Sequence, residues 1–115
     1  MIKSYTDLSQ SKKLAEILPL ESADMFYRNN GIDVKLMWEH NAPKVGNPCW
    51  SLAALLGVLP ILERKGYQKA KPRLLYNVAI NKWIVDSHIY TTDAYDNPVD
   101  ACYEMILKLH ELKIL

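Results

Sequence analysis

Apolar residues recur at helical spacing at Leu14, Ile17 and Leu18, shortly after Asp7 and Gln10, which stand three positions apart in the form of an N-cap with a reciprocal side chain. This pattern predicts a short amphipathic helix over residues 7 to 18, stopped at Pro19. The period then changes. Ala23, Met25 and Tyr27 alternate with Asp24 and Arg28, Asn29-Asn30-Gly31 supplies turn chemistry, and Ile32, Val34, Leu36 and Trp38 alternate with Asp33, Lys35 and Glu39. That is a β-hairpin, whose second strand carries the clearest alternation in the chain. A polar loop from His40 to Gly46 leads into Asn47-Pro48, which has the form of a helix start because Asn accepts a free N–H and Pro suits the first helical position. The expected helix over 48–59 has Ser51 as its one polar side chain within 49–59, and a helix apolar on all sides must be covered on most of them.

After a polar connector at 63–73, Leu74, Tyr76, Val78 and Ile80 alternate, Asn81-Lys82 can turn, and Trp83, Val85 and Ile89 run back towards Tyr90. This predicts a second hairpin. Asn97-Pro98 repeats the Asn-Pro start and opens a helix running to about Leu112. The two Asn-Pro pairs each follow a hairpin, so an internal duplication and shared capping chemistry both account for them. The expected fold class is α+β in the order α, ββ, α, ββ, α, with a mainly antiparallel sheet of about four strands and helices packed on one face, in one globular domain over residues 1–115.

Composition narrows the functional classes. The 115 residues are 50% hydrophobic and 23% charged, which suits a folded domain and excludes disordered, collagen-like and disulfide-scaffold classes. A net charge of +1 gives no whole-molecule attraction to nucleic acid or an anionic membrane. The 18 residues from Val45 to Leu62 carry no charge, but the helix between Pro48 and Pro60 would span only about 18 Å, short of a hydrocarbon core of about 30 Å, so no membrane span is expected. The N-terminal residues lack the apolar run of a secretory signal, which makes the cytoplasm the expected compartment and Cys49 and Cys102 reduced, buried thiols.

Candidate chemistry is sparse. On a helical wheel the final helix places Val99, Cys102, Met105, Ile106, Leu109 and Leu112 on a core stripe. Asp100, Glu104, Lys108 and Glu111 face solvent, with Glu104 and Lys108 in the favourable i, i+4 order. A third stripe of Tyr103, Leu107, His110 and Ile114 widens the apolar arc to about 240°, where about 100° would suffice. That flank must meet another element of the same chain or a second molecule, a partner protein or a copy of itself. The connector holds Arg64, Lys65, Lys69, Lys71 and Arg73 against Glu63, a local +4, with Tyr67 able to stack on a base. It is the one nucleic-acid patch available.

Cys49, in the first turn of its expected helix, would have a thiolate stabilised by the dipole, the starting point for a cysteine enzyme if His40, His88 or His110 folds near it. Asp86, His88, Asp93, Asp96 and Asp100 match no metal-cage spacing; Asp86 and His88 are expected to alternate on one strand face towards water, and Asp96 and Asp100 to flank a helix start. Four glycines and no phosphate loop, nucleophile elbow or dinucleotide fingerprint leave no expected metal, cofactor or catalytic residue.

Three phrases, KLAEILPLESADM at 13–25, PCWSLAALLGVLP at 48–60 and DNPVDACYEMILKLHEL at 96–112, resemble a family of short uncharacterised proteins encoded in gut Bacteroidetes genomes and by the phages and mobile elements of those bacteria. The resemblance implies a phage or mobile-element context and an intracellular product, and brings no activity, cofactor or site residue with it. The expected function is a small intracellular accessory or protein-interaction domain, binding a partner or its own copy through the flank of the final helix or an open sheet edge. The alternatives are a nucleic-acid binder using the 63–73 connector and, third, a cysteine-dependent enzyme.

Overall fold

A computed structural model describes residues 3–28, 33–36, 46–63, 66 and 69–115. The expected Asn29-Asn30-Gly31 turn, Ile32 and Trp38, most of the His40–Gly46 loop, and Arg64, Lys65 and Tyr67 lie outside the described residues. The architecture is mixed α and β, with three α-helices among the described residues. Contacts divide the chain into two compact units, Ser4–Gly57 and Val58–Leu115, with Lys3 belonging to the second. The described strands form two antiparallel sheets, one of three strands and one of two, in place of the single sheet of about four strands that the hairpin pattern suggested.

The first unit opens with α1 (Leu8–Ala15). The Asp7 carboxylate accepts from the Gln10 N–H at 2.8 Å and the Gln10 side chain accepts from the Asp7 N–H at 3.1 Å, so the expected capping box is present. A short 3-10 turn (Leu20–Ser22) follows Pro19. β1 (Met25–Arg28) is the central strand, flanked by β2 (Asp33–Leu36) and β3 (Gly46–Cys49). Successive strand residues point to opposite faces, and Phe26 and Tyr27 are both buried, so β1 is covered on both sides.

β3 corrects the expected helix start at Asn47-Pro48: Asn47 pairs with Tyr27 and Pro48 with Phe26 in extended backbone. Proline suits an edge strand as well as a first helical turn, because in both places its missing N–H goes unneeded. The helix, α2 (Leu52–Val58), begins later. Ser51 is its effective cap: the Ser51 hydroxyl accepts from the Ala54 N–H at 3.2 Å and donates to the Asp24 carboxylate, which also takes the Ser51 N–H at 2.9 Å. Only Leu55 within α2 is fully buried, so this helix is not the covered core helix that its composition suggested. The two Asn-Pro pairs therefore serve different structures, and the repeat they hinted at loses its support.

In the second unit β4 (Arg73–Asn77) and β5 (Lys82–Asp86) form the expected hairpin with shorter strands. Val78 and Ile80 sit in the turn, which Asn81 closes at a φ of 53°. Asn tolerates this left-handed backbone better than most side chains, and its side-chain oxygen accepts from the Tyr76 hydroxyl at 3.0 Å. β5 stops at Asp86, because Ser87 begins a tight turn whose hydroxyl accepts from the Ile89 and Tyr90 N–H groups.

The final helix, α3 (Pro98–Glu111), starts as expected, with Asn97 accepting from the Asp100 N–H at 2.9 Å and Pro98 in the first turn. Val99, Cys102, Met105, Ile106 and Leu109 are completely buried, each contributing about 1.5–3 kcal/mol as a side chain withdrawn from water. They pack in part against β5 and β4. Leu112, expected in this stripe, is instead the exposed C-cap residue.

Candidate functional site

Main-chain hydrogen bonds fix which edge of the β4–β5 sheet is open. The Trp83 N–H donates to the Tyr95 carbonyl at 2.7 Å and the Trp83 carbonyl accepts from the Tyr95 N–H at 2.8 Å; the Thr92 N–H donates to the Val85 carbonyl at 3.0 Å, and the Val85 N–H donates to the Thr92 hydroxyl at 2.9 Å. Trp83 and Val85 thus turn their main-chain groups away from β4, towards residues 91–95. In an antiparallel ladder residues alternate in the side they bond to, so Lys82, Ile84 and Asp86 bond to Asn77, Leu75 and Arg73. The N–H and C=O of Leu74 and Tyr76 consequently point outward along the other edge, where no described strand pairs with them.

This edge is unusually apolar. Leu75 is 37% exposed, Tyr76 45%, Val78 76% and Ile80 51%, all within one hairpin. Tyr76 rests on Trp83 with ring centroids 4.8 Å apart. β4 has no proline, bulge or charge among its three central residues, the devices by which exposed edges are commonly blunted. The alternation of Leu74, Tyr76, Val78 and Ile80 reads as a strand with one buried face, and it conceals this cluster. The consecutive pair Leu74-Leu75 was the available signal, since it places apolar side chains on both faces of a strand.

The expected helix flank is only partly available. Tyr103 and Leu107 are half-buried, and His110 is exposed with its Nδ1 3.0 Å from the Leu115 carbonyl oxygen. Ile114 lies beyond the end of α3, after Lys113 takes a φ of 62°, so it does not continue the helical stripe. The expected Glu104–Lys108 pair is replaced by other partners. Glu104 accepts from the Tyr90 hydroxyl at 2.6 Å and the Tyr95 hydroxyl at 2.5 Å, with the Asp93 N–H at 3.3 Å. Lys108 lies 3.7 Å from Glu111 and 5.2 Å from the centre of the Tyr90 ring. Hydrogen bonding to the ionised Glu104 pushes the Tyr90 phenol up to about 12, with desolvation adding to it, and raises Tyr95 for the same leading reason.

Two of the described members of the basic patch, Lys69 and Arg73, lie beside carboxylates. Lys69 is 3.8 Å from Glu63, and Arg73 is 3.4 Å from Asp86, which also accepts from the Thr91 hydroxyl at 2.6 Å. Lys71 and Arg73 line a cavity of about 310 Å³ together with Ala70, Asp86, Ser87 and His88. His88 is therefore a half-buried cavity residue in the turn after β5, not a strand residue facing water. Two further acids are engaged as well, Asp96 with Lys82 and Asp100 with Lys3 and the Asn97 cap. Among the described residues no group of three or more His, Cys, Asp or Glu could hold a metal ion.

Cys49 ends a strand, not a helix start, so no dipole stabilises its thiolate. It is fully buried beside Thr6, its thiol 3.6 Å from the Thr6 hydroxyl and 3.4 Å from the Thr6 carbonyl oxygen. Burial is the main cause raising its pKa, and burial pushes the Cys102 thiol up to about 12. Both cysteines are free and buried. Among the described residues no helix is long and apolar enough to cross a membrane. No family model, curated protein or solved structure matches the chain.

Proposed function

We propose that the chain is a small protein-interaction module that docks through the β4–β5 hairpin. The observation that carries this reading is the coincidence of an open strand edge with four exposed large apolar side chains, Leu75, Tyr76, Val78 and Ile80, in one hairpin. An added strand would satisfy the outward main-chain groups of Leu74 and Tyr76 while the apolar side chains leave water, which is the recognition mode of β-augmentation. The flank of α3 offers less, since Tyr103 and Leu107 are already half-covered. Nucleic-acid binding draws support from the cavity beside Lys71 and Arg73, but Arg73 and Lys69 already face Asp86 and Glu63. Neutralised cations release few counterions on meeting phosphate, which makes this the second reading.

The test is a photo-reactive residue placed at Val78, with one at exposed Lys12 of α1 as the control, activated in cells. Protein adducts at position 78 that survive nuclease, and none at position 12, are the expected result. Position 78 giving no protein adduct, or adducts that disappear with nuclease, would overturn the proposal.

A further inference from the structure

We infer that the partner for the open β4 edge is a second copy of this chain, paired antiparallel to itself about a two-fold axis at Leu75. This rests on the reading of the hairpin as a docking surface and names its occupant. Within β4 only Leu74 and Tyr76 present outward main-chain groups, so a self-paired edge must join these residues to each other. Three registers do so. Setting Leu74 opposite its own copy brings Tyr76 against Pro72, which has no N–H to give. Setting Tyr76 opposite its own copy carries Leu74 against Val78, which lies in the turn. Setting Leu74 opposite the other copy's Tyr76 uses the whole strand, and every outward N–H then meets an outward carbonyl.

The charges agree with that register. Arg73 falls opposite the neutral Asn77 of the second copy while its own Asp86 remains beside it, so no like charges face each other. The net charge of +1 adds little long-range repulsion between copies. The side chains agree as well. On one face Ile84 and Leu75 meet Leu75 and Ile84 of the second copy in an uninterrupted apolar row across the joined sheet. On the other face Tyr76 comes beside Leu74 of the second copy. The product is a four-stranded antiparallel sheet in the order β5-β4-β4-β5, isologous and closed, as a two-fold pairing requires.

The register makes a specific demand on position 75. Directly opposed residues in a non-hydrogen-bonded antiparallel pair have Cα atoms about 4.5 Å apart, within the disulfide range of about 4.4–6.8 Å. Residues at 77 in the two copies would lie roughly 14 Å apart along the strands. Leu75→Cys should therefore form a covalent dimer under mild oxidation and Asn77→Cys should not, the native cysteines being buried.

In light scattering across a concentration series, wild type should move from the monomer mass towards twice that value. Leu75→Lys and Leu75→Glu should each remain monomeric with unchanged circular dichroism, and their equimolar mixture should recover the doubled mass by pairing opposite charges. A wild type monomeric up to about 1 mM, the weakest affinity of practical consequence, or equal crosslinking at 75 and 77, overturns self-pairing. Adducts to other proteins at position 78 would in that case leave the docking surface standing with a different occupant. Their absence as well would remove both proposals.

Discussion

The two units cover their sheets to different extents. In Ser4–Gly57 the central strand β1 has neighbours on both sides and buried side chains on both faces, and the edge strand β3 carries Pro48, which withholds a donor from any further strand. In Val58–Leu115 one helix covers a hairpin from one side, residues 91–95 close one edge, and β4 is left with outward main-chain groups and exposed apolar side chains. Polar groups follow the same division. The first unit ties them in its interior: the Thr6 hydroxyl meets Ser11 at 2.7 Å and takes the Trp50 N–H at 3.2 Å, while the Tyr27 hydroxyl donates to the Thr6 carbonyl at 2.6 Å. The second unit ties them near its surface, around Glu104. Among the described residues the first unit exposes few large apolar side chains, whereas the second, which buries a single face of its hairpin, keeps its other face and one apolar edge for binding.

The largest expected effect breaks the first unit at Gly46. A methyl group there would lie 1.5 Å from the Tyr27 carbonyl oxygen, so the β1–β3 ladder tolerates no side chain at this position. Gly46→Ala should lose more than about 4 kcal/mol in urea denaturation or fail to fold. Gly57, in α2, has open space around it, and Gly57→Ala should gain about 0.5–1 kcal/mol. Equal effects from the two substitutions would mean that the close approach at Gly46 is not part of the fold.

Gly46 also shows where sequence reasoning reached and where it stopped. The caps at Asp7 and Asn97 and the core stripe of α3 were legible because their partners lie within four residues. β3 was not, because its partner β1 lies about twenty positions back and Pro48 satisfies an edge strand as well as a helix start. Ser51 was read as the single polar residue in an apolar helix, although its cap depends on Asp24, which only folding brings near. The exposed hairpin was missed for a related reason. Alternation identifies the two faces of a strand without saying whether the chain holds a second layer to cover the outer one, and this unit spends its one long helix on the inner face.

The buried knot comes next in size. Thr6→Val keeps the shape of the side chain but leaves the Ser11 hydroxyl and the Trp50 N–H short of a partner where water is excluded, at a cost of about 2 kcal/mol. Thr6→Ser keeps the hydroxyl and loses one buried methyl, about 1 kcal/mol. Chemical denaturation of the two variants separates hydrogen bonding from packing. A Val variant at least as stable as the Ser variant would show that the knot acts by filling space.

The smallest effect tests the surface counterpart. Glu104→Gln keeps the geometry but removes the charge that holds the Tyr90 and Tyr95 phenols, and because water reaches this half-exposed site the loss should be only about 1 kcal/mol at neutral pH. Its pH dependence has a definite sign. The folded-state pKa of Tyr90 is raised from 10.0 to about 12, so the stability it contributes is complete below pH 10 and is lost as pH rises through about 12. Tyr95, raised by the same carboxylate, follows the same direction. The difference in stability between wild type and Glu104→Gln should therefore be constant from neutral pH to about pH 10 and close above it, and ultraviolet titration should show a phenol returning towards 10 in the variant. A gap that persists into strong alkali would mean that Glu104 stabilises α3 by some route other than the two phenols. The contrast between a buried knot and a solvent-reached clamp would then lose its second half.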